Sequence, residues 1–518
     1  MPDFRRRGIL LCALGLMAGS AWPRPVHLET GAIEGVTQGT LTVYKGVPFA
    51  AAPVGELRWR PPQPPARWKG TRPATSFAPS CMQKGVSMPG EVLGATSEDC
   101  LYLNIWTPAR KAGERLPVMV WIHGGGYTNG SASMPLYWGD NLARRGIVVV
   151  TIAYRLGPLG FLAHPQLSAE SAARISGNYG LLDQIAALEW VQRNIAAFGG
   201  DRTRVTIAGQ SAGAMAVSML MASPRAGGLF HRAIGQSGGL FEPVQLAPRY
   251  LLENAERDGQ EYVSSLHADS IAALRKRPAA DLLESMAGNV SHPVVEPGVL
   301  PLAPYDAFVS GAYNQVPVLV GFNADEARSL VDVSRVTAAT YTADIEHSFG
   351  QLPPPMLQAY QPASDAQPQQ AQQARLDFER DLRFGWDMWA WARLQAGRAY
   401  FYHFMRKPPF PADSIYHGWG ASHFSELWYM FDHLDQEGWA WSPADRQLAD
   451  LMAGYWTNFV KNGDPNGEAM PRWPVYGAGA EVLRLDEPVS VGALPGTDRL
   501  QVIDAVYSGL RRTPTGEH

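Results

Sequence analysis

From residue 117 onward, short and nearly unbroken apolar runs alternate with longer stretches whose apolar residues recur at helical spacing. The runs are PVMVWI (117–122), IVVVTIAY (147–154), RVTIAG (204–209), VPVLVGF (316–322) and AYFYHFM (399–405). Runs of this length without polar alternation predict strands buried on both faces. Between them, 180–198 and 212–223 repeat apolar residues every three to four positions and predict helices. Buried strands alternating with helices predict an α/β fold, a mostly parallel central sheet with helices on both faces. Residues 28–60 read as a β-hairpin start followed by a Pro-rich wrap. Two mainly helical segments, about 243–312 and 328–395, interrupt the rhythm and predict insertions on the scaffold around a cleft. Each falls between strands, so 22–511 reads as one domain, with 512–518 a disordered tail.

Composition narrows the class. Of 518 residues, 46% are hydrophobic and 18% charged, enough for a large core. The formal net charge is −4 with no long run of one sign, which points away from nucleic acid and anionic membranes as partners. Arg5, Arg6 and Arg7 precede an apolar stretch to about Gly19, followed by small residues. The pattern predicts a signal peptide over 1–21, of Sec or twin-arginine type, and an exported, periplasmic or secreted protein. The apolar stretch is too short to span a bilayer, so no stable membrane insertion is expected. Removal of 1–21 leaves Cys81 and Cys100, which predict one disulfide; two reduced, buried thiols are the alternative.

Chemistry concentrates at two glycine-rich turns. Gly209-Gln210-Ser211-Ala212-Gly213 has the pattern G-x-S-x-G, with a predicted strand running in and a predicted helix running out. That context predicts a nucleophile elbow, with Ser211 at the positive end of a helix. A serine hydroxyl needs a base, and the base needs an acid behind it. In this kind of sheet the chain order is Ser, acid, His. Asp325 and Glu326 follow one predicted strand, and His417 and His423 lie in a later loop. The residues alone leave both choices open. The second turn, HGGGYTNGSAS (123–133), follows the strand at 117–122. So bare a backbone suits either a phosphate or an oxyanion, and no Lys-Ser/Thr follows the glycines as a phosphate-binding loop requires. His123 reads as a structural residue of that loop. The 12 histidines show no metal-binding spacing, so neither metal nor cofactor is expected.

These motifs sit in a longer likeness. SEDCLYLNIWTP (97–108), GNYGLLDQIAALEWVQRNIAAFGGD (177–201), GQSAGA (209–214), GFNADEA and GASHFSEL resemble the type-B carboxylesterases, a family that includes cholinesterases and para-nitrobenzyl esterases. The resemblance spans essentially all of the chain after the signal. It implies the α/β-hydrolase fold and a serine carboxylesterase acting on a small-molecule ester. It implies Glu326 as the acid and His423 as the base of a Ser211 triad. The oxyanion hole then comes from the backbone N–H groups of Gly125, Gly126 and Ala212. Ser237 is implied near the acid and histidine, with a plain strand-end serine as the alternative.

The chain also departs from that pattern. Gln210 stands where many relatives carry Glu, and no Trp lies between Cys81 and Cys100, where cholinesterases carry one. Both differences weigh against a cationic choline ester and for a neutral ester in a cleft lined by Tyr127, Gln210 and Trp419. Amide, carbamate or lipid-ester hydrolysis on the same triad is the alternative activity. A non-catalytic binding protein of the same fold would require a broken triad, and every member is present.

Overall fold

The computed structural model describes residues 25–512, except 87, 89, 90, 92 and 284–286. The segment read as a signal peptide, 1–21, lies outside the described residues, as does 513–518. Arg512, read as part of the tail, instead closes the helix Thr497–Arg512.

An 11-stranded sheet organises the described residues. Its strands in chain order are β1 (Val36–Gln38), β2 (Leu41–Pro48), β3 (Tyr102–Thr107), β4 (Leu116–Ile122), β5 (Val148–Ile152) and β6 (Gly200–Gln210). They continue with β7 (Arg232–Gln236), β8 (Val318–Asn323), β9 (Ala399–Phe404), β10 (Glu481–Leu485) and β11 (Ser490–Ala493). The spatial order is β11-β10-β9-β8-β7-β6-β4-β5-β3-β2-β1. From β5 across to β10 all pairs are parallel, and both margins are antiparallel. Helices α1 (Tyr179–Asn194) and α2 (Ala212–Ala222) are among those that cover the sheet. The centre of each parallel strand is fully buried, which is why these strands read as unbroken apolar runs.

All five predicted strands and both predicted helices are present, with shifted ends. The helix expected over 180–198 becomes α1 plus a tighter turn, Ile195–Phe198, closed by Gly199 at φ 79°. Strand β6 starts four residues earlier than its apolar run, and its register against β4 shifts between Gly200 and Val205. Strand β7 carries no long apolar run. It packs tightly enough that a Cβ on Gly235 would lie 2.5 Å from the Trp391 ring.

Order and direction fix the location of a site. From β4 the sheet grows one way to β5 and the other way to β6. In such sheets ligands bind at the carboxyl ends of the strands, beside that reversal. The carboxyl ends of β4, β6, β8 and β9 lead respectively into the glycine loop, Ser211, Glu326 and the loop that carries His423.

Candidate active site

Ser211 joins β6 to α2 with φ 56° and ψ −129°, a backbone conformation that costs energy for a residue with a side chain. The crossing of strand and helix depends on glycine. A Cβ on Gly213 would lie 2.1 Å from the Ile122 carbonyl oxygen, and one on Gly209 would lie 2.5 Å from the Gly213 carbonyl carbon. The turn lifts Ser211 clear of the sheet at the N-terminus of the 11-residue α2.

The glycine loop leaves β4 beside this turn. Gly125 (φ 102°) and Gly126 (φ 60°) line the same cleft as Ser211 and Ala212. His123 anchors the loop from beneath. Its ring stacks on Tyr154 at 4.4 Å, its Nδ1–H donates to the Gly124 carbonyl at 2.9 Å, and its own carbonyl accepts from the Tyr154 hydroxyl at 2.8 Å. Burial pushes its pKa down to about 4, so the ring is neutral at ordinary pH.

Glu326 begins the short turn that follows β8 and is fully buried. Its Oε2 lies 2.6 Å from His423 Nδ1. Its Oε1 accepts from the Ser237 hydroxyl at 2.6 Å and from the Asn323 N–H at 2.7 Å. Asp325 faces elsewhere: it accepts from Arg328 Nε and the Ala421 N–H, both at 3.0 Å, and ties down the histidine loop. With Nδ1–H committed to Glu326, Nε2 is the unprotonated nitrogen of His423. It accepts from the Gln210 amide at 3.1 Å. Phe384 stacks on the imidazole at 4.6 Å. His417 lies exposed in the same loop.

A second layer lies beneath Glu326. Glu426 is fully buried, and it accepts from Gln236 Nε2 at 3.0 Å and Asn323 Nδ2 at 2.5 Å. Burial and the nearby Glu326 charge push its pKa up to about 7. Asp387 is likewise pushed up to about 7, by burial and the charge of Glu242, and it accepts from the Phe241 N–H at 3.3 Å. Sequence reasoning missed Phe384, Asp387 and the Gln236–Asn323–Glu426 layer; Asn323 and Glu426 sit inside GFNADEA and GASHFSEL, whereas no quoted motif holds Phe384 or Asp387.

Ser211, Gln210 and His423 open into a cleft of about 890 Å³. Two residues expected to line it do not. Tyr127 (φ 61°) turns into the core, packs on Phe161 at 5.1 Å, and takes the Gly157 N–H on its carbonyl at 2.7 Å. Trp419 packs on Tyr416 and Phe424 and lines an adjoining, shallower pocket beside Arg328–Ser334, which shares Ser329 and Leu330 with the cleft. Leu246, Leu330, Phe349 and Leu352, from the two helical insertions, supply much of the apolar wall instead. Cys81 and Cys100 form a disulfide with Cα atoms 4.9 Å apart.

A serine at a strained strand-to-helix turn, above a parallel sheet and beside a histidine–carboxylate pair, defines the α/β-hydrolase class. Within that class the chain belongs to the carboxylesterase family, whose model matches residues 23–502. It is 39% identical over 492 residues to the fumonisin B1 esterase of Sphingopyxis macrogoltabida, covering 90% of this chain and 87% of that protein. It is 34% identical over 501 residues to the para-nitrobenzyl esterase of Bacillus subtilis, covering 92% and 97%. Among solved structures, a PNB esterase superposes with a TM-score of 0.79 at 32% identity, over 92% of this chain and 99% of that one. A Geobacillus stearothermophilus carboxylesterase does so with a TM-score of 0.79 at 34% identity and the same coverage. The chain is a carboxylic ester hydrolase.

Proposed function

We propose that the protein hydrolyses its ester through an acyl-enzyme on Ser211, with His423 as base and Glu326 as the acid behind it. The observation that carries this reading is the buried 2.6 Å contact between His423 Nδ1 and Glu326, in the cleft into which Ser211 projects. His423 Nε2 takes the Ser211 proton as Oγ attacks the ester carbonyl. In that step the serine hydroxyl takes over the lone pair that otherwise accepts from the Gln210 amide. The N–H groups of Gly125, Gly126 and Ala212 receive the oxyanion; removing one such donor costs about 3–4 kcal/mol of barrier. His423 then protonates the leaving alcohol, and Glu326 stabilises the imidazolium. Water, deprotonated by His423, attacks the acyl carbonyl and releases the acid. Ser237 orients Glu326 through their 2.6 Å hydrogen bond. Export is part of the same reading, supported by the basic and apolar N-terminal pattern and by the Cys81–Cys100 disulfide. The test is covalent labelling. A fluorophosphonate should modify Ser211 alone, and Ser211→Ala should lose both labelling and ester turnover. Labelling at another serine would refute the nucleophile.

A further inference from the structure

The two helical insertions bring arginine into the cleft. Arg249, from the first, and Arg383, from the second, both line it together with Ser211 and His423. Their side chains are 53% and 45% exposed. Each guanidinium lies over an aromatic ring, Arg249 at 4.8 Å from Tyr250 and Arg383 at 4.9 Å from Phe349. Stacking of this kind holds the planar group in place. Arg383 bonds Glu379 through Nε, and among the described residues neither Nη has a hydrogen-bond partner. Arg249 donates through one Nη to the Tyr250 hydroxyl at 3.2 Å and stands 3.6 Å from Glu242, which leaves its other Nη for a ligand.

The cleft's acids are more withdrawn. Glu242 is 34% exposed, and burial pushes its pKa up. Asp387 is buried, points back to the Phe241 N–H, and is pushed up to about 7. The more exposed charges that line the cleft are therefore the two guanidinium groups. Position adds to this. Arg383 sits in a π-helical turn, Asp381–Gly385, whose next residue, Phe384, stacks on the His423 ring. Such turns re-aim side chains at functional sites.

We propose that this cleft selects esters bearing a free carboxylate, with Arg383 and Arg249 as its anchors. The inference rests on ester hydrolysis at Ser211. It goes beyond the neutral-ester expectation drawn from Gln210 and the Trp-free disulfide loop. The terminal Nη pair of Arg383 offers a carboxylate two parallel hydrogen bonds, and Arg249 adds a second positive charge. The carboxylate can belong to the acyl or the alcohol part, and the two arms of the test separate these.

The measurement is a ratio of kcat/KM values between isosteric esters. One arm compares 4-nitrophenyl hydrogen adipate with 4-nitrophenyl 6-methylheptanoate, which replaces the carboxylate by an isopropyl group. The other compares 5-(butyryloxy)pentanoate with 5-methylhexyl butyrate. In at least one arm the anion should be preferred about ten- to a hundredfold. The preference should shrink between about 0.05 M and about 0.5 M salt. Arg383→Gln and Arg249→Gln should each lower the ratio, and Arg383→Glu should invert it. Because both esters are read on the same variant, a general loss of activity cancels. A wild-type ratio at or below one in both arms overturns the proposal, as does a ratio untouched by all three substitutions. Fluorophosphonate labelling of Ser211 in the same preparation reports on the nucleophile separately, so failure of the ratio leaves the reaction standing.

Discussion

His423 and His417 lie six positions apart in one loop, yet their surroundings differ completely. His423 is buried between Phe384, Gln210 and Glu326, whereas His417 is exposed. His423→Ala should therefore lower kcat/KM by about four to six orders of magnitude. His417→Ala should change it less than threefold or so, in line with a surface substitution. Steady-state kinetics on the two variants is the check. Glu426 carries a second residue-scale prediction. Its folded pKa, about 7, lies above the ordinary glutamate value of 4.5. Between about pH 5 and 7 the unfolded chain has released this proton and the folded protein retains it. The folded state then binds more protons, so this group's contribution to stability falls as pH rises through the window. Glu426→Gln removes that titration. Whatever constant penalty the amide brings, the Tm difference between variant and wild type should move in the variant's favour from pH 5 to 7. A flat difference would mean that Glu426 does not titrate there.

At the scale of elements, the elbow and the glycine loop depend on each other. A Cβ on Gly124 would lie 2.7 Å from the Gln210 carbonyl oxygen and 2.9 Å from Ser211 Cβ. The glycines thus serve the close approach of two turns, and in the proposed mechanism they also give backbone access to a reacting oxygen. The loop closed by Cys81 and Cys100 borders the same region, since Val86 and Met88 line the cleft. Gln83 ties this loop to the glycine turn, accepting from the Gly130 N–H and donating to its carbonyl, both at 2.8 Å. A bridge across a loop of this length contributes about 3 kcal/mol. Reductant should lower Tm by several degrees in differential scanning fluorimetry. An unchanged Tm with both thiols shown free by alkylation would contradict this.

At the scale of the molecule, four strand ends converge on one edge of the sheet and the insertions build the walls above it. Selectivity belongs to this scale, because the cleft's charge comes from segments far apart in sequence. Gln210 lacks the carboxylate, and the described part of the disulfide loop lacks the Trp, that would attract a cation; Arg249 and Arg383 repel one. Loss of a cation–π contact alone removes roughly 0.5–2 kcal/mol. Butyrylcholine should therefore have a kcat/KM at least about tenfold below that of its uncharged isostere, 3,3-dimethylbutyl butyrate, at low salt. A salt-sensitive preference for butyrylcholine would show that another group in the cleft binds cations.

The sequence by itself determined what is local. Apolar runs located the parallel strands because a strand buried on both faces has no polar register to keep. The G-x-S-x-G turn and the glycine loop were legible because their chemistry lies within a few consecutive residues. The acid and the histidine were legible only as pairs of candidates, Asp325 or Glu326 and His417 or His423, until a family likeness ranked them. Neighbouring residues there point in different directions, and direction is set by packing. Tyr127 was misread as a cleft residue for that reason: it sits beside a cleft motif in sequence and packs its ring on Phe161 in the core, whereas Trp419 lies one pocket over, behind Phe424. Phe384, Arg249 and Arg383 carry no local signature at all, and Glu426, though inside GASHFSEL, gives no sign in the sequence of lying beneath Glu326. They reach the site because chain segments more than a hundred residues from Ser211, or an insertion following its helix, fold back over one sheet edge. Only that tertiary closure decided the layer beneath Glu326, the ring against His423 and which charged side chains line the cleft.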